Sequence, residues 1–166
     1  MKTKAYMRRN LFRILELPGV LTGSLSIGTQ NMELKKVQYS ELNSRQREIF
    51  NFQKVAGLLA DYGFNCIKLA DDWQGADFLA YHKDGTNTLK VQLKSRLCIS
   101  KKYISKSLFM AFPVRGAWHL VEHDVLVQLV EKHTSWLTSL SWCENDEYTS
   151  GGANSALLDA LSDCRL

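Results

Sequence analysis

The stretch from Gly75 to Arg96 constrains the fold more than any other part of this 166-residue chain. Gly75-Ala76-Asp77-Phe78-Leu79-Ala80-Tyr81-His82 and Thr88-Leu89-Lys90-Val91-Gln92-Leu93-Lys94-Ser95-Arg96 are rich in β-branched, aromatic and aliphatic residues, and the polar link between them contains Asp84-Gly85. That combination predicts two antiparallel strands joined by a tight turn. With the turn centred near Gly85, Asp77 lies across from Leu93 and is flanked by Gln92 and Lys94. Side chains alternate faces along a strand, so Gln92 and Lys94 are expected on one face and Val91 and Leu93 on the other. An acid, an amide and an amine then converge.

The segments around this hairpin fix its surroundings. Leu42, Ile49, Phe52, Val55, Ala56, Leu59 and Tyr62 recur at helical spacings, which predicts one apolar stripe on a helix capped by Asn43 or Ser44 and ended by Gly63. Phe64 to Leu69 reads as a short strand, and residues 70–75 as a loop leading into the hairpin. Ser107 to Phe112 reads as a fourth strand stopped by Pro113, and Ala117 to Val121 as a fifth. Helices are expected over about Asp124 to His133 and Ser155 to Ser162, separated by a stretch rich in Ser, Thr, Asn and Gly. The order is helix, three strands, a short basic connection, two strands, and one or two helices.

Charge matters here through its placement. The chain carries a formal net charge of +4, but residues 1–31 hold five Lys or Arg against Glu16 alone, which leaves the remainder balanced. Within that remainder, residues 83–106 contain Lys83, Lys90, Lys94, Arg96, Lys101, Lys102 and Lys106 against Asp84 only, whereas residues 122–163 hold eight acids against Lys132. One face or edge is therefore expected to be positive and another negative, the positive part beginning at the hairpin. Residues 1–31 read as a leader, disordered or foreign to the native protein, and residues 32–166 as a single domain. No apolar run approaches the ~18 residues of a membrane span. Cys66, Cys98, Cys143 and Cys164 show no C-x-x-C spacing and read as reduced thiols, which with the absence of a secretory pattern points to the cytoplasm.

Asp77 on the second strand and Gln92-Leu93-Lys94 on the third, in this order of elements, resemble the PD-(D/E)XK nuclease superfamily over about Leu42 to His133. The Gln-x-Lys form is most similar to the Mrr-like restriction endonucleases. The resemblance implies an α/β (α+β) restriction-endonuclease-like core, with a central mixed sheet of about five strands flanked by helices. It also implies a metal-dependent endonuclease of restriction or repair type that hydrolyses DNA with Mg2+, or Mn2+ as a substitute. Asp77 would be the principal metal ligand, Gln92 a neutral carbonyl ligand, and Lys94 the ammonium that meets developing negative charge.

A second carboxylate would come from the first helix. Glu48 is the expected residue, because it sits one turn before Phe52 on the stripe that must face the sheet. Gln53, Asn51 and Glu41 are alternatives, Asp72 is another in the loop before the hairpin, and an exposed Glu48 beside Arg45 or Arg47 is the competing reading. Arg96, Lys101, Lys102 and Lys106 suit phosphate contacts that position a duplex, and Trp73 suits stacking on a base or packing against the core. A homodimer would suit cutting both strands. The alternative function is a catalytically inactive nuclease-like fold that binds nucleic acid or a protein.

Overall fold

The computed structural model describes residues 34–166, and the leader expected over residues 1–31 lies outside them. In chain order the described elements are α1 (Ser44–Asp61), β1 (Phe64–Trp73), β2 (Ala76–His82), β3 (Thr88–Leu93), β4 (Leu97–Ser100), β5 (Leu108–Val114), β6 (Ala117–Glu122), α2 (His123–His133), α3 (Leu140–Asn145), β7 (Glu147–Ser150) and α4 (Ser155–Ala160). Short 3-10 turns lie at Tyr39–Glu41 and Lys101–Tyr103. Strands β1-β2-β3-β5-β6 form one sheet in that order, and β4 and β7 form a second. β3 and β5 run parallel while the other neighbours are antiparallel, so the central sheet is mixed. The expected α+β core with five strands is present.

Each face of the sheet has its own apolar layer. Val55 and Leu59 of α1 pack on Phe78, Ala80, Val91 and Ala111. On the other face, Leu126 and Val130 of α2 and Leu157 of α4 join Leu108, Met110, Phe112 and Val121, with Tyr103 among them. Asn43 caps α1 through a reciprocal capping box with Gln46, which satisfies two N–H groups that the first turn cannot. The buried positions of α1 are Asn51, Val55 and Leu59, one residue per turn at a spacing of four. Ile49 and Tyr62, expected on the stripe, are instead 41% and 55% exposed.

Four expectations about the strands and their links are corrected. The first is the hairpin register. Phe78 pairs with Val91 and Tyr81 with Thr88, so the continuing register sets Asp77 opposite Gln92 rather than Leu93. The Asp84 carboxylate accepts from the Thr86 N–H at 2.8 Å and from the Asn87 N–H at 3.3 Å, which draws the turn to a centre between Asp84 and Gly85. Half a residue at the turn becomes one residue at the partner strand.

The second is the loop expected over residues 70–75, where β1 continues to Trp73 through an irregular register and pairs Trp73 with Ala76. Gln74 and Gly75 make that tight turn with φ of 56° and 91°, and the Asp72 carboxylate caps it by accepting from the Gly75 N–H at 2.7 Å. The third is the basic connection after Lys94. It contains β4, which pairs antiparallel with β7 from Leu97↔Ser150 to Ser100↔Glu147. Strand β5 also runs through Pro113. Ala111 accepts from the Lys94 N–H at 2.9 Å, so by alternation the Pro113 nitrogen faces the same side, where β3 has already ended and no N–H is needed.

Candidate functional site

Asp77 stands at the start of β2, directly after the Gln74–Gly75 turn, and is half-buried. Its Oδ2 accepts from the Leu93 N–H at 2.7 Å and from the Gln92 side-chain amide, while Oδ1 has no hydrogen-bond partner among the described residues. Burial pushes the Asp77 carboxyl above the usual range, with the Asp72 and Glu48 charges adding to the shift and the Leu93 N–H and Lys94 opposing it. A half-buried carboxylate with one free oxygen is costly unless something else uses it.

Gln92 sits beneath Asp77, 7% exposed, with its Nε2 toward the carboxylate and its Oε1 accepting from the Tyr103 hydroxyl at 3.0 Å. Tyr103 is itself buried, its ring edge-on to His123 at 5.6 Å between centroids. The Lys94 Nζ lies 5.6 Å and the Lys102 Nζ 4.8 Å from the centre of that ring. Gln92 and Lys94 thus both reach Tyr103, one through its hydroxyl and the other beside its ring. β3 ends at Leu93, and the Lys94 N–H still donates to the Ala111 carbonyl of β5.

Glu48, Asp77 and Lys94 line one cavity of about 550 Å³ together with Lys68, Arg96 and Tyr39. Glu48 lies at the exposed start of α1, paired with Lys68 and, at 3.1 Å, with Arg45. Lys68 and Arg45 hold its carboxyl below the usual range, the Lys68 hydrogen bond contributing most. The competing reading of an exposed Glu48 beside Arg45 thus describes its pairing, with Lys68 as a second partner that was not expected. Asp72 and Asp77 border an adjoining depression that Glu48 shares. Among the alternatives to Glu48, Asn51 is buried and donates to the Tyr39 hydroxyl at 2.9 Å.

The residues expected to meet nucleic acid diverge. Arg96 lies on the cavity rim and Lys106 is exposed, whereas Lys101 pairs with Asp146 at 2.7 Å and lies 5.6 Å from the centre of the Trp142 ring. Trp73 is 48% exposed at the end of β1, so it is not a core residue. Sequence reasoning missed Lys68 and Tyr103. Lys68 meets Glu48 through the tertiary packing of β1 and α1, which no sequence spacing encodes. The one signal for Tyr103 is its place as the sole aromatic residue in the basic segment from Lys94 to Lys106.

The donor set suits a hard divalent cation in one respect: Asp77 Oδ1 is free and Glu48 borders the same cavity, and Mg2+ is commonly held by one or two carboxylates. No group of three or more His, Cys, Asp or Glu that could hold a metal occurs among the described residues. Gln92 presents nitrogen, not oxygen, to Asp77. A half-turn of the amide exchanges its ends, and a tyrosine hydroxyl serves either end as donor or acceptor.

No family model and no curated protein matches the chain. Among solved structures it is similar to a Holliday junction resolvase from Archaeoglobus fulgidus, at 20% identity over 49% of this chain and 73% of that chain, with a TM-score of 0.38. It is also similar to a bacterial homing endonuclease, at 14% identity over 68% of this chain and 78% of that chain, with a TM-score of 0.43.

Proposed function

We propose that the protein is a metal-dependent DNA endonuclease of restriction or repair type. The observation that carries this reading is the half-buried Asp77, whose free oxygen borders the cavity shared with Glu48 and Lys94. Asp77 and Glu48 would hold Mg2+, with Gln92 contributing its carbonyl oxygen after the amide turns over. A bound divalent cation supplies charge neutralisation at the phosphoryl group and hydroxide near neutral pH. Leu93 keeps the Asp77 carboxylate oriented through its N–H. Lys94, whose Nζ lies over the Tyr103 ring, would supply the ammonium that meets negative charge developing on a phosphate. Arg96 at the rim would hold the strand by its backbone.

The test is plasmid cleavage by the purified chain with Mg2+ or Mn2+. Cleavage that disappears with Asp77→Ala and falls at least a hundredfold with Lys94→Ala supports the assignment. No cleavage, or cleavage indifferent to both changes, defeats it. The second reading, a nucleic-acid or protein binding module without catalysis, draws on one observation: both carboxylates already have partners, Gln92 for Asp77 and Lys68 for Glu48. Calorimetric titration separates the two, because a module of that kind binds its partner equally well with Mg2+ or EDTA.

A further inference from the structure

A second pocket, with a volume of about 400 Å³, lies beside the β5–β6 turn, and Arg115, His119, Ser162 and Arg165 line it. Both guanidinium groups are exposed, and neither makes a hydrogen bond or ion pair among the described residues. His119 is 5% exposed. Its ring stacks on Phe112 with centroids 5.9 Å apart, and Nδ1 bonds the Ala117 carbonyl at 3.2 Å. With Nδ1 satisfied, Nε2 is left to the pocket. Desolvation holds the imidazole below its ordinary value against the pull of the Ala117 carbonyl, and the Arg165 charge lowers it further. Two unpaired cations, a neutral histidine and a hydroxyl surround a space with no acid among its lining residues.

The backbone at Arg115 adds a separate observation. Arg115 and Gly116 have φ of 49° and 79°, the mirror-image hairpin turn in which the first position favours Asn, Asp or Gly. An arginine held there carries a backbone cost that nothing in its own packing offsets, since the side chain is exposed. The residue makes sense if its guanidinium has a task.

The strand register relates this pocket to Asp77. Gln92 pairs with Met110 in β5, and the chain then runs from Met110 along β5 to the Arg115 turn, past the end of β3. Asp77 and the turn therefore sit toward the same end of the sheet. Five residues of strand and two strand spacings separate them, a distance on the order of 15–20 Å. Measured along a duplex axis, that distance spans about five phosphates of one strand.

We propose that Arg115, Arg165, His119 and Ser162 form an anion site that holds a backbone phosphate of DNA, several nucleotides from the one at Asp77. The proposal rests on the nuclease reading for the identity of the polyanion. The site fixes where the duplex lies without reading its sequence, as phosphate contacts do.

NMR titration of the His119 imidazole tests it on the full chain, with His82, His123 and His133 as internal references. Inorganic phosphate and, separately, a twelve-base-pair duplex with EDTA present are each expected to raise the His119 pKa. Arg115→Gln and Arg165→Gln should each suppress the rise and lower the log–log salt slope of duplex binding by about 1. Arg115 is on an exposed turn, so its replacement leaves the core intact. A His119 response to neither ligand overturns the proposal, and a response to phosphate but not duplex means an adventitious ion only and overturns it equally. Asp77→Asn should leave the His119 response unchanged. A protein that shows the arginine-dependent response yet never cleaves retains the anion site and loses the nuclease reading.

Discussion

The Tyr103 hydroxyl donates to Gln92 Oε1 across 3.0 Å, at the opposite end of the amide from the Asp77 carboxylate. Tyr103→Phe keeps the ring that Lys94 and Lys102 overlie and removes only the hydroxyl. Gln92 Oε1 then lacks its donor in a buried position, which costs about 1–3 kcal/mol. Urea denaturation is expected to show that loss. If cleavage is present, metal affinity should change too, because the amide is freed to turn.

Asp77→Asn should stabilise the protein. The folded carboxyl is raised above its ordinary value by burial, so its favourable contribution is full below about pH 3.9 and is lost as the pH rises through the folded pKa. At neutral pH the buried charge is a liability, and an amide oxygen still accepts from the Leu93 N–H. Solvent reaches the carboxylate, so the gain is discounted to about 0.5–1 kcal/mol, or roughly 2–4 °C in melting temperature. Melting at pH 4 and pH 7 checks this: the gap between variant and wild type should open with rising pH.

Acid should weaken the fold through His123, which is fully buried with Nε2 accepting from the Ser100 N–H at 3.2 Å. That acceptor role requires the neutral ring. Desolvation holds its pKa below the ordinary value, although Asp124 pulls the other way. The unfolded chain takes a proton near pH 6.5 that the fold resists, so this contribution is full above about pH 6.5 and is lost as the pH falls. Stability from pH 7.5 to 5.5 should drop by at most about 1.4 kcal/mol per unit for this group. His123→Gln, which keeps an acceptor, should reduce the slope. His119, lowered in the same direction, accounts for some of what remains.

Gly75→Ala should cost about 1–3 kcal/mol. Its φ is +91°, and an added Cβ would stand 3.1 Å from two carbons of the Tyr103 ring. In a Tyr103→Leu background the contact part of the penalty should vanish and the backbone part persist, which a double-mutant cycle in urea resolves.

The sheet and α1 were legible because local chemistry dictates them: alternation in residues 76–82 and 88–93, and the Asn43 cap and Gly63 stop around α1. Asp77, Gln92 and Glu48 could be brought near one another by counting along the hairpin and the helix. The pairing details could not. The Asp84 carboxylate shifted the register through hydrogen bonds to Thr86 and Asn87, and the Lys68 partner of Glu48 comes from a strand twenty residues away. β4 was illegible as an element because Leu97–Ser100 is only four residues long and gains its ladder from β7. Nor did spacing reveal Arg115 and Arg165, which line one pocket because residues 165 and 119 bridge at the sheet edge.

The pairing of β4 with β7 also sets an order of assembly. Ser100 and the Lys101–Tyr103 turn, which carry Tyr103 to Gln92, are held from the side by residues 147–150 and by the Asp146 carbonyl on the Lys101 N–H. A ribosome-bound chain that has emerged only through β6 would have its five-stranded sheet available but not this clamp, because closing so long a loop precedes any reward from the contact. Asp77 would then have its backbone neighbours before Gln92 has its guide. The surroundings of Asp77 would be completed late, with the emergence of β7.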